Sequence, residues 1–260
     1  MKLVVFTSNA LRHKYLANTL TAAVQDCLVI VEAKPGDGIE QKPDSGFLAR
    51  HFADRYVEET RHFGGNDILR AKSLPLMHGE VNSGPVIEAI DEFKPDAAVV
   101  FGASIIREPL LSSIPAGRFI NLHLGLSPYY RGSGTNFWPF VNRELQYVGA
   151  TLLHIDAGID TGDIVAHVRP EFTADDTVHS AGCKTIKAGV AVIVDCLRVV
   201  GEGRALARVP QWKSAACDRY YRKNDVTEAV LLEYQRNIEG GMVRNYLEAE
   251  SAPVRLVTLT

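Results

Sequence analysis

Cysteine is scarce in this sequence of 260 residues: four are present, Cys27, Cys183, Cys196 and Cys217, and no two form a Cys-x-x-Cys pair. Such sparse use excludes a disulfide framework and reads as reduced thiols in a cytoplasmic protein. Long apolar runs are also missing. The longest, Ala97 to Ile106, is interrupted by Gly102 and Ser104, well short of the roughly 20 residues that span a bilayer. The apolar start, Met1 to Phe6, passes at once into Thr7-Ser8-Asn9, too short a run for a secretion signal. The expectation is a cytoplasmic protein with no membrane partner. There is no excess of positive charge either: Lys and Arg number 28 against 31 Asp and Glu, a net charge of −3. Proteins that grip long nucleic acids carry a basic excess or stripe, so no nucleic-acid partner is expected. No Gly-x-Gly-x-x-Gly follows the first apolar run, which leaves dinucleotide binding unsupported.

What is present suits a packed core, with 46% hydrophobic residues in a chain long enough for one domain plus an appendage. Leu3 to Phe6 reads as a strand buried on both faces. Thr7-Ser8-Asn9 have helix-capping chemistry, and Leu11, Tyr15, Leu16, Leu20 and Val24 recur at helical spacing. Leu28 to Val31 is a second strand, stopped by Pro35 to Gly38, which completes a βαβ outline. Helices are expected over 44–64 and 83–93, strands at Ala97–Phe101 and Arg118–Leu122, and a helical turn at Pro109–Ser113. Gly149–Ile155 and Ile164–Val168 flank a turn-rich segment and read as a hairpin-like excursion at the sheet edge. Thr177 to Val200 reads as a long helix with Val178, Ile186, Val190 and Ile193 toward the sheet. Strands alternating with helices imply an α/β fold, a Rossmann-like and mostly parallel sheet with helices on both faces. Ligands bind beyond the carboxyl ends of such strands, so Thr7 to Asn9, Gly102 to Ser104 and Asn121 to His123 are expected to meet in one crevice. After residue 201 the pattern loosens, and the chain divides into a catalytic domain, 1–200, and a small C-terminal subdomain, 201–260, whose helix carries Val230, Leu231, Tyr234 and Ile238.

The segment Asn121 to Gly132 is the informative one. Asn121 and His123, two apart on a strand, point to the same face. An amide and an imidazole side by side can hold the oxyanion that forms when an amine attacks an acyl carbon, at roughly 3–4 kcal/mol for a good donor. The amine's proton needs an acceptor, and a carboxylate near the histidine supplies one. On turn chemistry alone Asp156, Asp160 and Asp163 are all candidates. Each residue also has a structural alternative: a satisfied strand-end histidine, a turn-capping asparagine, a turn-forming aspartate.

The chain here resembles the 10-formyltetrahydrofolate-dependent formyltransferases, which include phosphoribosylglycinamide, methionyl-tRNA and sugar-nucleotide N-formyltransferases. Asn121-x-His123, Pro128 five residues on and Arg131-Gly132 match the first block; Gly149-x-Thr151 and Asp160-x-Gly162 match the second, with the family's interval from Gly to Asp. That interval selects Asp160. The resemblance implies the formyltransferase fold, 10-formyltetrahydrofolate as cosubstrate without a metal, and a pterin held mainly by main-chain groups near Phe101, Ile105, Ile106 and Arg107 and along Asp156, Gly158 and Gly162. It further implies a cis bond at Ser127–Pro128. The acceptor branch follows less directly. The glycinamide ribonucleotide branch carries His-Pro-Ser-Leu-Leu-Pro where this chain has His123-Leu124-Gly125-Leu126-Ser127-Pro128. The tRNA branch carries a basic surface and a longer C-terminal barrel. A nucleotide-linked amino sugar destined for a surface polysaccharide is the preferred acceptor, with the other two branches and a formate-releasing hydrolase as alternatives.

Further residues have two readings. Ser8, Asn9 and Arg12 stand at an expected helix N-terminus, where they either bind an acceptor phosphate or merely cap the helix. Tyr130 and Arg131 begin an aromatic loop, through Phe137 and Trp138, that either contacts the acceptor or packs as structure. Tyr220 to Lys223 either meet acceptor phosphates or form a solvated turn. His154 suggests a metal ligand but reads better as a sheet residue or pocket wall. A homodimer is expected to form through the C-terminal subdomain or an edge strand.

Overall fold

Apolar stretches without alternation, such as Leu3–Phe6, Leu28–Val31 and Ala97–Phe101, need cover on both faces, and a parallel sheet between helical layers provides it. The structure, a computed structural model, describes residues 1–34, 46–213, 219–249 and 253–259; the stop expected at Pro35 to Gly38 lies outside the described residues. In chain order the elements are β1 (Lys2–Ser8), α1 (Leu11–Ala23), β2 (Asp26–Ala33), α2 (Gly46–Phe63), β3 (Lys72–Met77), α3 (Gly84–Phe93), β4 (Ala97–Phe101) and β5 (Phe119–His123). They continue as β6 (Tyr130–Gly132), α4 (Trp138–Val141), β7 (Ala150–His154), β8 (Ile164–Val168), α5 (Val178–Gly201), β9 (Arg219–Tyr221), α6 (Glu228–Glu239) and α7 (Met242–Glu248).

The main sheet has the order β3-β2-β1-β4-β5-β7-β8. The first five strands are parallel, and β7 and β8 run antiparallel as the expected hairpin at the edge. The mostly parallel α/β expectation therefore holds. On one face α1 and α5 bury Leu16, Leu20, Ile186, Val190 and Ile193 against Leu3, Val5, Val29 and Val99. On the other, Val86 and Ile90 of α3 cover Val4, Phe6, Ile30 and Val100. Cys27, Cys183 and Cys196 are buried and free. Burial pushes the thiols of Cys183 and Cys196 up to about 12, which leaves them packing groups rather than nucleophiles.

Two sequence expectations are corrected. Val178 faces a second cluster, with Tyr130, Phe137, Trp138, Leu231, Met242 and Val243, and not the sheet. It sits in the first turn of α5, just past the capping box made by Thr177 and Ser180, where the helix overhangs the C-terminal elements. Thr7 and Ser8 do not cap α1: both lie in β1, fully buried, and the cap is Ala10. The strand runs on because the hydroxyls find internal partners, Thr7 Oγ1 donating to Phe101 O at 2.8 Å and Ser8 Oγ meeting His13 Nδ1 at 2.5 Å. β3, β6, α4, β9 and α7 were not expected.

Candidate active site

β4 and β5 are parallel neighbours beside the β1–β4 junction, where the strand order reverses, and open α/β sheets bind ligands beyond the carboxyl ends of the strands at such a junction. Their carboxyl ends deliver Gly102 and Asn121 to one place. Asn121 and His123 project to the same side of β5, and the loop between β7 and β8 returns Asp160 against both. Asn121 Nδ2 donates to Asp160 Oδ1 at 2.8 Å, and His123 Nδ1 lies 3.2 Å from Asp160 Oδ2. Asp160 is in the left-handed region, φ +53, a conformation that aspartate tolerates better than most residues. Gln211 pins it there, donating from Nε2 to Asp160 O at 2.7 Å and to Gly162 O at 3.0 Å.

The rival carboxylates are engaged elsewhere. Asp156 accepts from Gly158 N and Thr161 Oγ1, closing its own turn, and Asp163 pairs with Arg208 at 3.2 Å. Geometry thus brings Asp160, and neither neighbour, to His123. Burial pushes the Asp160 carboxyl up, but the hydrogen bond and charge of His123 and the amide of Asn121 outweigh it and hold the group below the usual carboxylate range. His123 Nε2 is buried with no hydrogen-bond partner among the described residues. With Nδ1 turned to a carboxylate, Nε2 is the atom left to act on a ligand.

The trio stands in the wall between two clefts. One, of about 200 Å³, is lined by Gly102 to Ile106, Asn121 and the 153–162 loop. The other, of about 800 Å³, is lined by His123, Ser127, Pro128 and Arg131 on one side and by Gln211 and Tyr220 to Lys223 on the other. Asp160 borders both.

The remaining sequence candidates fall into place as follows. Ile105, Ile106, Asp156, Gly158 and Gly162 line the smaller cleft; Phe101 and Arg107 do not. Phe101 is a core residue set edge-on to His13, with centroids 4.6 Å apart, and the Arg107 amide donates to Asn82 Oδ1. A Cβ on Gly162 would lie 1.8 Å from His154 O, so the Asp-x-Gly glycine lets the loop close onto β7. Ser8 is buried against His13, Asn9 Oδ1 accepts from Lys34 N, and the Arg12 guanidinium pairs with Glu59 at 2.7 Å. The first crevice group expected at residues 7–9 is thus absent from both clefts, its side chains being tied to the protein. Tyr130 is fully buried, its hydroxyl donating to Glu144 and accepting from Asn142, so it packs under the larger cleft and cannot stack on a ligand. Arg131 does line that cleft. His154 is a buried sheet residue whose Nε2 meets Ala207 O at 2.9 Å.

Glu32 and Gln211 escaped sequence reasoning, and Thr151 entered it only as part of the second matching block. Glu32, fully buried at the end of β2, accepts from Gly79 N at 2.8 Å and Ser104 N at 2.6 Å, fixing the loop that floors the smaller cleft. Thr151 stitches β7 to the segment after His123, donating to Gly125 O at 2.6 Å and accepting from Ser127 N at 2.9 Å. The Ser127–Pro128 bond is cis, as the resemblance implied; Glu108–Pro109 is cis as well.

The chain is similar to known proteins in sequence and in fold. The chain is 32% identical over 124 residues to a methionyl-tRNA formyltransferase of Desulforamulus reducens, a match covering 48% of this chain and 38% of that protein. It spans about half or less of the length of the curated relatives it matches. Its fold is similar to that of an N-formyltransferase from Helicobacter canadensis solved with folinic acid and dTDP-3-aminofucose (TM-score 0.59, 16% identity, covering 92% of this chain and 81% of that one). It is similar as well to a 4-N formyltransferase from Francisella tularensis (TM-score 0.56, 16% identity, covering 91% and 87%). Residues 1–197 match the formyl transferase family, and the chain belongs to that family.

Proposed function

We propose that the protein transfers the formyl group of 10-formyltetrahydrofolate to the primary amine of a nucleotide-linked amino sugar. The observation that carries this reading is the position of the trio between two clefts, with Asn121 opening to one, His123 to the other and Asp160 to both. A two-substrate transfer needs that arrangement, because donor and acceptor must approach one carbon from opposite sides. The smaller cleft suits a flat heteroaromatic ring: Ile105, Ile106 and Ile155 offer apolar cover, and the loops at 102–106 and 156–162 offer main-chain donors and acceptors. The larger cleft takes the amine.

In this reading the Asn121 amide and the protonated His123 imidazole hold the oxyanion as the amine adds to the formyl carbon. Asp160 stabilises the imidazolium through Nδ1 and receives the amine's proton by way of a water; as the adduct collapses, the bond from the formyl carbon to N10 of the cosubstrate breaks and N10 takes up that proton, so that tetrahydrofolate leaves neutral at nitrogen. Its low pKa keeps it ionised throughout the neutral range, so Asp160 does not set the acid limb of the rate profile. The test is to incubate the protein with 10-formyltetrahydrofolate and a panel of nucleotide-linked amino sugars, aminoacylated tRNA and glycinamide ribonucleotide, following tetrahydrofolate and product mass. A formylated amino sugar is expected. Free formate without an acceptor product, or formylation of tRNA or glycinamide ribonucleotide alone, overturns the reading.

Glu32 supplies a further prediction. Glu32→Gln keeps the side-chain size but turns an amide donor toward one of two backbone N–H groups, an opposition that costs about 1–3 kcal/mol. The loop at 102–106 is then expected to loosen, raising KM for 10-formyltetrahydrofolate severalfold while kcat changes less. Steady-state kinetics with varied cosubstrate measures it; an unchanged KM removes Glu32 from the site.

A further inference from the structure

The two walls of the larger cleft are tied together by residues 253–259, a segment with no helix or strand of its own. Val254 packs against the second cluster and Leu259 against the sheet core, so the segment is anchored near both ends. Between those anchors it closes the outer edge of β8. His167 N donates to Val257 O at 2.7 Å, and three residues earlier Ile164 exchanges backbone bonds with Val209. The buried His167 ring completes the contact: Nδ1 accepts from Val257 N at 2.9 Å and Nε2 donates to Ser127 O at 2.8 Å. A backbone amide only donates and a carbonyl only accepts, so this arrangement requires the neutral ring with its hydrogen on Nε2. Burial, opposed by the bond to Ser127, lowers the pKa of His167 and favours that neutral form.

One wall runs on from His123 through Ser127 and Pro128; the other includes Gln211 and Trp212. The segment grips the first wall twice. The His167 ring holds Ser127, and the Tyr129 hydroxyl donates to Arg255 O at 3.0 Å. It grips the second wall through Trp212. The Arg255 guanidinium lies over that indole, 4.1 Å from the ring centroid, a contact that favours arginine on tryptophan. His167 and Tyr129 meet the same indole edge-on, each with centroids 5.9 Å apart. Trp212 follows Gln211, whose side-chain amide pins Asp160 O and Gly162 O. The first wall thus carries His123 and the second holds Asp160. Their approach of 3.2 Å depends on how the two walls are held to one another.

We infer that residues 253–259 are a strap that sets the spacing of the two walls, with His167 and Arg255 as positioning residues for the His123–Asp160 pair. His167 carries one arm, to the wall of His123. Arg255 carries the other, to the wall that holds Asp160. The effect on the reaction rests on the formyl-transfer reading; the coupling between strap and walls does not. Displacing a catalytic pair by about 1 Å costs up to about 100-fold in rate, so a loosened strap lowers turnover although neither reacting side chain has changed.

The experiment is hydrogen–deuterium exchange of the full chain, read by mass spectrometry, followed by steady-state kinetics on the same samples. Arg255 is exposed, so Arg255→Ala is expected to keep the wild-type melting temperature. It is expected to raise exchange about fivefold or more at 253–259 and also at 157–163, which the strap reaches through Trp212 and Gln211. Arg255→Lys keeps a cation over the indole and is expected to restore most of the protection. The two arms of His167 separate by substitution. In His167→Asn the amide oxygen stands near the Nδ1 position, keeping the Val257 bond and losing that to Ser127; exchange is expected to rise at 123–131 with 253–259 still protected. In His167→Gln the amide nitrogen reaches the Nε2 position, keeping Ser127 and losing Val257; exchange is expected to rise at 253–259 and 157–163. A rise at 253–259 alone in Arg255→Ala, or an equal rise across the whole sheet, overturns the strap. With the acceptor formylated in the panel above, Arg255→Ala and His167→Asn are expected to lower kcat about tenfold and shift KM for 10-formyltetrahydrofolate less. A KM effect without a kcat effect, or transfer unaltered in both variants, overturns the positioning role and spares the reaction. Coupled exchange without formyl transfer in wild type sustains the strap and sinks the reaction.

Discussion

His123→Ala is expected to lower turnover by roughly 10²–10⁴-fold, the range for losing a positioned acid–base group, with the fold intact. The size follows from position. His123 Nε2 is a buried nitrogen without a partner among the described residues at the wall of the larger cleft, so no internal hydrogen bond depends on that atom, while in the proposed mechanism the oxyanion does. Asn121→Ala removes the neighbouring donor and is expected to cost about 10²–10³-fold. Asp160→Asn is the more telling variant. The amide is nearly isosteric, but it places a donor against either Asn121 Nδ2 or His123 Nδ1, which lie 2.8 Å and 3.2 Å from the two carboxylate oxygens. It also removes the charge that stabilises the imidazolium, so a loss of about 10²-fold or more is expected. Initial rates of tetrahydrofolate release, with far-ultraviolet circular dichroism on each purified variant, measure these effects. Near-wild-type turnover in His123→Ala or Asp160→Asn sinks the assignment.

The pattern of apolar residues was readable in the sequence because burial on both faces leaves no alternative to a continuous run, as at Leu3 to Phe6 and Ala97 to Phe101. β3 was not readable. It is a half-exposed edge strand with Pro75 inside it, and an edge strand needs no apolar run. The capping reading of Thr7 to Asn9 failed for a related reason: whether a hydroxyl caps a helix or bonds across a sheet depends on partners as distant as Phe101. Asn121 and His123 could be paired from spacing on one strand alone. Asp160 could not be separated from Asp156 and Asp163 without the family interval. The structure supplies the physical reason, since those two carboxylates are consumed by Thr161 and Arg208. Glu32, Gln211 and the β6–β9 pair carry no local signal, for each joins segments tens of residues apart.

Acidification from pH 7.5 to pH 5 is expected to destabilise the fold, with a sizeable part of the loss traceable to one pair of histidines. His51 of α2 and His179 of α5 meet ring to ring, centroids 4.4 Å apart, beside Phe137 and Tyr234. Burial, then the Arg55 charge, lowers His51 to about 4; burial, then the charges of His51 and Arg55, lowers His179 to about 3. Arg50 and Asp54 of α2, with Gln235 and Glu239 of α6, line the same junction. The folded values lie below the unfolded value of about 6.5. The unfolded chain therefore binds protons that the folded chain refuses. The contribution is complete above about pH 6.5 and is lost progressively as the pH falls toward the folded values. At pH 5 each histidine accounts for about 1–2 kcal/mol, after discounting for the part of each ring that meets solvent. His13, His154 and His167 are lowered by burial too and add in the same direction, so the pair is isolated by difference. Urea unfolding at both pH values, on wild type and on His51→Gln, reads it. The variant is expected to start less stable at pH 7.5 and to lose about 1–2 kcal/mol less between the two pH values. A pH dependence identical to wild type would mean that the imidazoles titrate freely in the folded protein, and that the α2–α5–α6 junction opens to water well above pH 5.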